Sequence, residues 1–185
     1  LKSIFPYVCY VLLTGENIKL RALEPEDLDF IYSWENDPKV WEVSHTLAPF
    51  SRFVLTQYLE SQHLDIYVSK QLRLVVVDKN KVPIGLIDLF DFEPKHKRVG
   101  VGILIDFNFR GKGYAKEALS LLLDYCFDHL DLVQVYANIG LNNKQSLILF
   151  KNLGFKKVGV KKNWNKTKSG FEDEILYQKL NKKFT

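Results

Sequence analysis

Methionine is absent and cysteine is scarce, with Cys9 and Cys126 the two present. Neither cysteine sits at a metal or redox spacing, so a disulfide-built scaffold is excluded and a reduced, cytoplasmic protein is expected. The histidines His45, His63, His96 and His129 are too scattered for a ligand motif, and no structural metal is expected. No apolar run approaches the roughly 20 residues that a membrane-spanning helix needs, so no spanning helix and no membrane partner are expected. Residues 1–13 faintly resemble a signal sequence, but Pro6 interrupts them and no small-residue cleavage site follows. They are read as part of an N-terminal extension, residues 1–16, and with Leu1 first and no methionine anywhere the native start is not read from this chain. Charge of one sign is also lacking: 26 Lys and Arg against 22 Asp and Glu leave +4. That balance suits an anionic ligand, yet the basic residues are dispersed, which argues for a solvated face and against a nucleic-acid surface. Neither G-x-G-x-x-G nor G-x-x-x-x-G-K-[ST] occurs, so the dinucleotide fingerprint and the phosphate loop are excluded. No repeat, linker or low-complexity segment divides the chain, and residues 17–185 are read as one domain, a size that supports a proper core.

What is present is organised around residues 99–126. Val99, Val101, Ile103 and Ile105 alternate as a buried strand does, and Ala115, Ala118, Leu119, Leu122 and Cys126 recur at helical spacing. Between them lies Arg110-Gly111-Lys112-Gly113-Tyr114-Ala115. A glycine loop that joins a strand to a helix N-terminus offers backbone N–H groups and the positive end of the helix dipole to a phosphate, and Arg110 and Lys112 add charge.

The rest of the chain alternates strands and helices. Residues 18–23 read as a strand, and Pro25 with Glu26 and Asp27 opens a helix that stops near Asn36-Asp37-Pro38. Ser51 is the expected N-cap of a second helix through residue 62. Strands are expected over 71–78 and 82–92, joined by the turn 78–81, and then over 132–139, 156–164 and 171–180. A last helix, 142–153, ends at Gly154 as a glycine C-cap would. The order β-α-α-β-β-β-α-β-α-β-β predicts an α/β (α+β) fold, a single mixed central sheet of six to seven strands with helices on both faces.

The loop resembles the acetyl-CoA signature of the GNAT N-acetyltransferases, Arg/Gln-x-x-Gly-x-Gly/Ala, read here as Arg110, Gly113 and Ala115. Asn143-Lys144-Gln145-Ser146, followed by Phe150 and Leu153-Gly154-Phe155, is similar to the family's N-x-x-S/A…L-G-F segment. The element order resembles the GNAT fold over residues 17–180, and the chain is most similar to the branch holding bacterial polyamine acetyltransferases and the acetylases of ribosomal-protein N-termini. The resemblance implies acetyl-CoA as co-substrate. It implies that Ile103, Leu104 and Ile105 pair with the pantetheine arm, and that Arg110, Gly111, Lys112, Gly113, Tyr114 and Ala115 hold the pyrophosphate. It further implies that Asn138, Asn143 and Phe150 line the cofactor arm and that Ser146 lies near its sulfur. Asparagines at a strand end and a helix start are also ordinary caps.

Two departures from the family pattern bear on mechanism. Many members carry a tyrosine as acid where this chain has Phe150, and a glutamate base on the central strand is replaced by Gly100 or its neighbours. Ser146 is therefore the candidate acid, and Asp88 or Asp91 the candidate base. A carboxylate such as Asp88 in an apolar strand is costly to bury unpaired, so a cleft is its natural place. Trp34, Glu35, Asp37, Trp41 and Glu42 combine indole faces with carboxylates, as a cationic amine requires, and with Asp88 they form the expected acceptor site. The reading is an N-acetyltransferase acting on a polyamine such as spermidine or spermine. Two alternatives stay open, an acetylase of protein N-terminal α-amines and a weakly catalytic acetyl-CoA-binding module. A homodimer or higher homo-oligomer is expected from the resemblance.

Overall fold

The computed structural model describes residues 13–44 and 46–184, without the side chains of Glu42 and Val43. The residues before 13, with Cys9, and His45 lie outside the described residues. Seven strands form one sheet: β1 (Ile18–Ala22), β2 (Leu72–Asp78), β3 (Pro83–Glu93), β4 (Arg98–Ile105), β5 (Gln134–Gly140), β6 (Lys156–Thr167) and β7 (Gly170–Leu180). Their order is β1-β2-β3-β4-β5-β7-β6. The helices are α1 (Leu28–Glu35), α2 (Pro38–Ser44), α3 (Arg52–Glu60), α4 (Ile66–Ser69), α5 (Tyr114–Asp124) and α6 (Lys144–Asn152). This is the predicted mixed α/β architecture. Among the described residues no helix is long and apolar enough to cross a membrane.

Alternation along the strands gives the sheet two faces, each with its own core. Val99, Val101, Val135, Ala137 and Ile139 face α5 and α6, where Leu119, Leu122 and Phe150 complete the larger cluster. Val75, Val77 and Leu86 face the other way and pack with Ile31 of α1 and Leu55 of α3. Removing a fully buried leucine or isoleucine such as Leu119 or Ile31, each 0% exposed, would cost about 2–5 kcal/mol, because burial and close packing are both lost. Residues 13–17 turn back onto β1 through Leu20 N to Leu13 O at 2.8 Å. They are held to α5 by Glu117, which accepts from Asn17 N at 2.7 Å.

The predicted elements hold with local differences. Ser51 does cap α3, accepting from Val54 N. Pro38, expected only to end a helix, also begins one: proline lacks the N–H that a first turn leaves unpaired, and Asp37 accepts from Lys39 N at 2.8 Å. The short α4, not expected from sequence, starts at Asp65, whose carboxylate accepts from Tyr67 N and Val68 N. β5 begins at Gln134, two residues later than predicted, and β6 and β7 run to a tighter turn at residues 168–169.

The feature that positions the site is the junction of β4 and β5, the parallel pair in an otherwise antiparallel sheet. They pair at Arg98 with Gln134, Val99 with Val135 and Gly100 with Tyr136, and not beyond. From Val101 onward the strands diverge, and one edge of β4 lacks a strand partner inside the sheet.

Candidate active site

The loop after β4 is built to stay open. Arg110 Nε donates to Ile105 O at 2.9 Å, tying the loop to the strand end. Gly111 and Gly113 have φ of +77° and +85°, and a Cβ on either would meet nothing within 4 Å. The left-handed backbone, and not crowding, therefore calls for glycine, and the space above both stays free for a ligand. Gly113 is the N-cap of α5, so first-turn N–H groups with no carbonyl behind them point out of the loop. A groove of about 480 Å³ runs from there between β4 and α6. It brings together the predicted Ile103, Leu104, Ile105, Arg110, Gly111, Gly113, Tyr114, Ala115, Asn143 and Ser146. Lys112 does not line it; its ammonium lies 5.3 Å from the Phe109 ring centroid, and the lysine that lines the groove is Lys116, which sequence reading missed.

Where β4 and β5 part, a second cleft of about 160 Å³ passes between them, lined by Gly102, Asn138, Gly140, Phe150 and Glu172 among others. Ile103, Asn143 and Ser146 line both spaces. The groove on the α5/α6 side thus continues between the strands, with the Ser146 side chain at the junction. Asn143 caps α6, accepting from Ser146 N at 3.1 Å, so the ordinary helix cap and the cleft wall are one residue. Asn138 accepts from Lys161 Nζ at 3.0 Å. Phe150 is buried at 3% exposure with its ring edge-on to Phe155, and offers no proton.

The opposite face carries the expected acceptor residues, with partners the sequence did not reveal. Asp88 Oδ1 and Glu35 Oε1 each lie 2.5 Å from Arg73, on its Nε and Nη1. Burial alone would lower the Arg73 pKa, but the charges of Asp88, Tyr58 and Glu35 hold it well above the ordinary arginine value. The burial cost argued for Asp88 is met by pairing: Arg73 holds the carboxylate, and its Oδ2 lies 3.9 Å from the position of a Gly102 Cβ. Asp37 caps α2. Trp34 Nε1 donates to Asp106 at 3.1 Å and Trp41 Nε1 to the Glu35 carbonyl at 2.6 Å, so both indoles tie α1 and α2 into the site's frame. The Glu42 side chain lies outside the described residues. Asp91, at a bulge with φ +50°, accepts from Tyr136 Oη at 3.2 Å. Burial, then the Asp91 charge and hydrogen bond, push the Tyr136 phenol up to about 12.

Arg73 was only half findable: in a hairpin turning at residues 78–81, counting back along both strands sets it opposite Leu86 or Ile87, and it is the register shift between Val76 and Val77 that brings it opposite Asp88. Glu172 was not, because its place beside Gly140 depends on the pairing of β7 with β5, far apart in sequence. Glu174, next on that face, is 6% exposed, bound by Lys161 at 2.8 Å and Asn165 at 3.1 Å. Among the described residues no group of three or more His, Cys, Asp or Glu side chains is placed to hold a metal ion.

Comparison with known proteins agrees with this geometry. Residues 17–156 match the model of the acetyltransferase (GNAT) domain. The spermidine N(1)-acetyltransferase of Vibrio cholerae is 30% identical over 145 residues, covering 78% of this chain and 82% of that protein. The crystal structure of the Vibrio cholerae spermidine N-acetyltransferase in complex with CoA and spermine has a TM-score of 0.82 at 26% identity, over 90% of this chain and 97% of that one. A dodecameric structure of the spermidine N-acetyltransferase from the same organism has a TM-score of 0.76 at 27% identity, over 90% and 95%.

Proposed function

This chain belongs to the GNAT acetyltransferase family and is an acetyl-CoA-dependent N-acetyltransferase, and from that premise we propose that its acceptor is a polyamine of the spermidine and spermine class. One observation carries the reading. The cleft between β4 and β5 opens toward a sheet face on which the carboxylates of Glu35, Asp88, Glu172 and Glu174 outnumber the resident cations Arg73 and Lys161. A surplus of negative charge beside indole rings favours a ligand with more than one ammonium. The relatives named for spermidine acetylation support the same class.

The residues present fit the co-substrate. The open glycine loop, the α5 N-terminus, Arg110 and Lys116 suit a pyrophosphate, and the unpaired edge of β4 at Ile103–Ile105 suits an amide-bearing arm. When bound, acetyl-CoA supplies a thioester whose acetyl carbonyl is the electrophile. Ser146, at the junction of the two spaces, is the residue assigned to give a proton to the leaving sulfur, the task that Phe150 cannot perform. Asp88, held by Arg73, and Asp91, held by Tyr136, are assigned to drawing the cation in. Residues 17–185 are taken as one catalytic domain, which assembles as a homo-oligomer as the dodecameric relative does.

The test is thiol release from acetyl-CoA with spermidine and spermine in one series and short peptides with free N-termini in another. Saturable release with the polyamines supports the reading. Release with peptides alone overturns it in favour of protein N-terminal acetylation.

A further inference from the structure

Four carboxylates on the acceptor face are already engaged by a side chain. Glu35 and Asp88 share Arg73. Glu174 is bound by Lys161 and Asn165, and Asp91 accepts from Tyr136. Glu172 differs. Among the described residues no lysine, arginine or histidine nitrogen lies within 4.0 Å of its carboxylate, whose Oε2 accepts from the backbone N–H of Asn142 at 3.1 Å. That bond fixes the carboxylate and leaves Oε1 available. Oε1 lies 2.7 Å from where a Cβ on Gly140 would be, so the missing side chain at 140 is what lets the carboxylate lie across β5. The same glutamate lines the cleft between β4 and β5 together with Asn143 and Ser146.

We propose that Glu172 receives the reacting ammonium of the acceptor at the mouth of this cleft and takes its proton. The assignment rests on the amine-acetylating reading above and adds a catalytic residue to it. An ammonium at neutral pH has no lone pair, so a proton must leave before attack, and a fixed carboxylate with one oxygen available is the group to take it. The facing groups are accounted for element by element. On β4 Gly102 presents no side chain, and Asp88 behind it is occupied by Arg73. On β5 stand Gly140 and Asn138, on β6 Asn165 and Lys161, the latter bound to Glu174 and Asn138. From the α6 end come the Asn142 N–H and Ser146. Protons and bonds balance as follows. The ammonium gives one proton to Glu172, and the freed nitrogen forms a bond to the acetyl carbon as the carbon–sulfur bond breaks. A second proton passes by way of the Ser146 hydroxyl to the sulfur, the third stays on the amide, and Glu172 returns its proton to water.

The test compares wild type with Glu172→Gln, which keeps an oxygen for Asn142 N–H, using spermidine as probe. The expected kcat/KM at pH 7 falls about 100-fold, in the range of a lost general base. The deficit should shrink as pH rises toward about 10, the ordinary range of an alkyl ammonium, because the amine then arrives deprotonated. Calorimetry on the protein without co-substrate should show weaker spermidine binding in the variant, and acetyl-CoA affinity should be unchanged within threefold. A purely structural role for Glu172 would alter acetyl-CoA affinity through the Asn142 loop and leave the pH slope alone. Asp88→Asn should raise KM and keep the wild-type slope. The assignment is overturned if Glu172→Gln keeps rate and slope, or if Asp88→Asn removes the slope instead. If wild type ignores spermidine but acetylates a peptide N-terminus, the polyamine reading fails and the same comparison on the peptide decides Glu172. Turnover of neither overturns both.

Discussion

At the residue scale the instructive group is Arg73. Asp88 and Glu35 look from sequence like free acids awaiting a polycation, yet one guanidinium spans both at 2.5 Å. Removing it leaves two carboxylates partly out of water without a partner. Arg73→Met is expected to cost about 3 kcal/mol, the low end for a broken buried pair, since about a quarter of the arginine side chain is still solvent-exposed. Urea denaturation measures this, and an unchanged midpoint would show that the pair is energetically idle. Tyr136 provides the residue-scale pH prediction. Folding lifts its phenol from 10.0 to about 12, so the folded chain holds that proton more tightly than the unfolded one. The associated stability is complete below pH 10 and disappears as pH rises through 12. Tyr136→Phe should flatten that alkaline decline, with phenolate absorbance identifying the group.

At the scale of elements, the loop and first turn of α5 act as one anion site. Lys116, in that first turn, lines the groove, and Lys112, inside the glycine motif, does not. Lys116→Ala should therefore weaken acetyl-CoA binding about three- to fivefold, the size of a partly exposed charge near a helix N-terminus, and Lys112→Ala less than twofold. Calorimetric titration of both variants checks the order, and a reversed order would reassign the phosphate contact. The glycine motif made the site legible in the sequence because left-handed backbone requires that residue type at 111 and 113. Which lysine faces the groove was not legible, since helical phase relative to β4 depends on how α5 packs.

For the molecule as a whole, the donor groove and the acceptor face communicate through the gap between β4 and β5, so ligands on either side should stabilise one cooperative unit. Acetyl-CoA at 100 times its dissociation constant adds about 2.7 kcal/mol to the folded state. For a domain of this size that is a rise in Tm of about 5–10 °C. Thermal melting should show a single transition that moves as a whole; two transitions, with only one moving, would mean that the faces unfold separately.

Element order, the mixed α/β class, the glycine loop at a helix start and the family resemblance are all legible along the chain, because strand alternation, helical spacing and turn chemistry are local. Pro38 and Asp65 show where local reading stopped short, since the same residues that punctuate a chain can also cap a new helix. Which charges of the acceptor face are paired was settled by tertiary contacts. They set Arg73 between Asp88 and Glu35, turned Asp37 into a cap, and brought Glu172 beside Gly140, near the end of β5. These juxtapositions depend on strand register and on pairing between segments distant in sequence, where a one-residue slip would send each side chain to the opposite face.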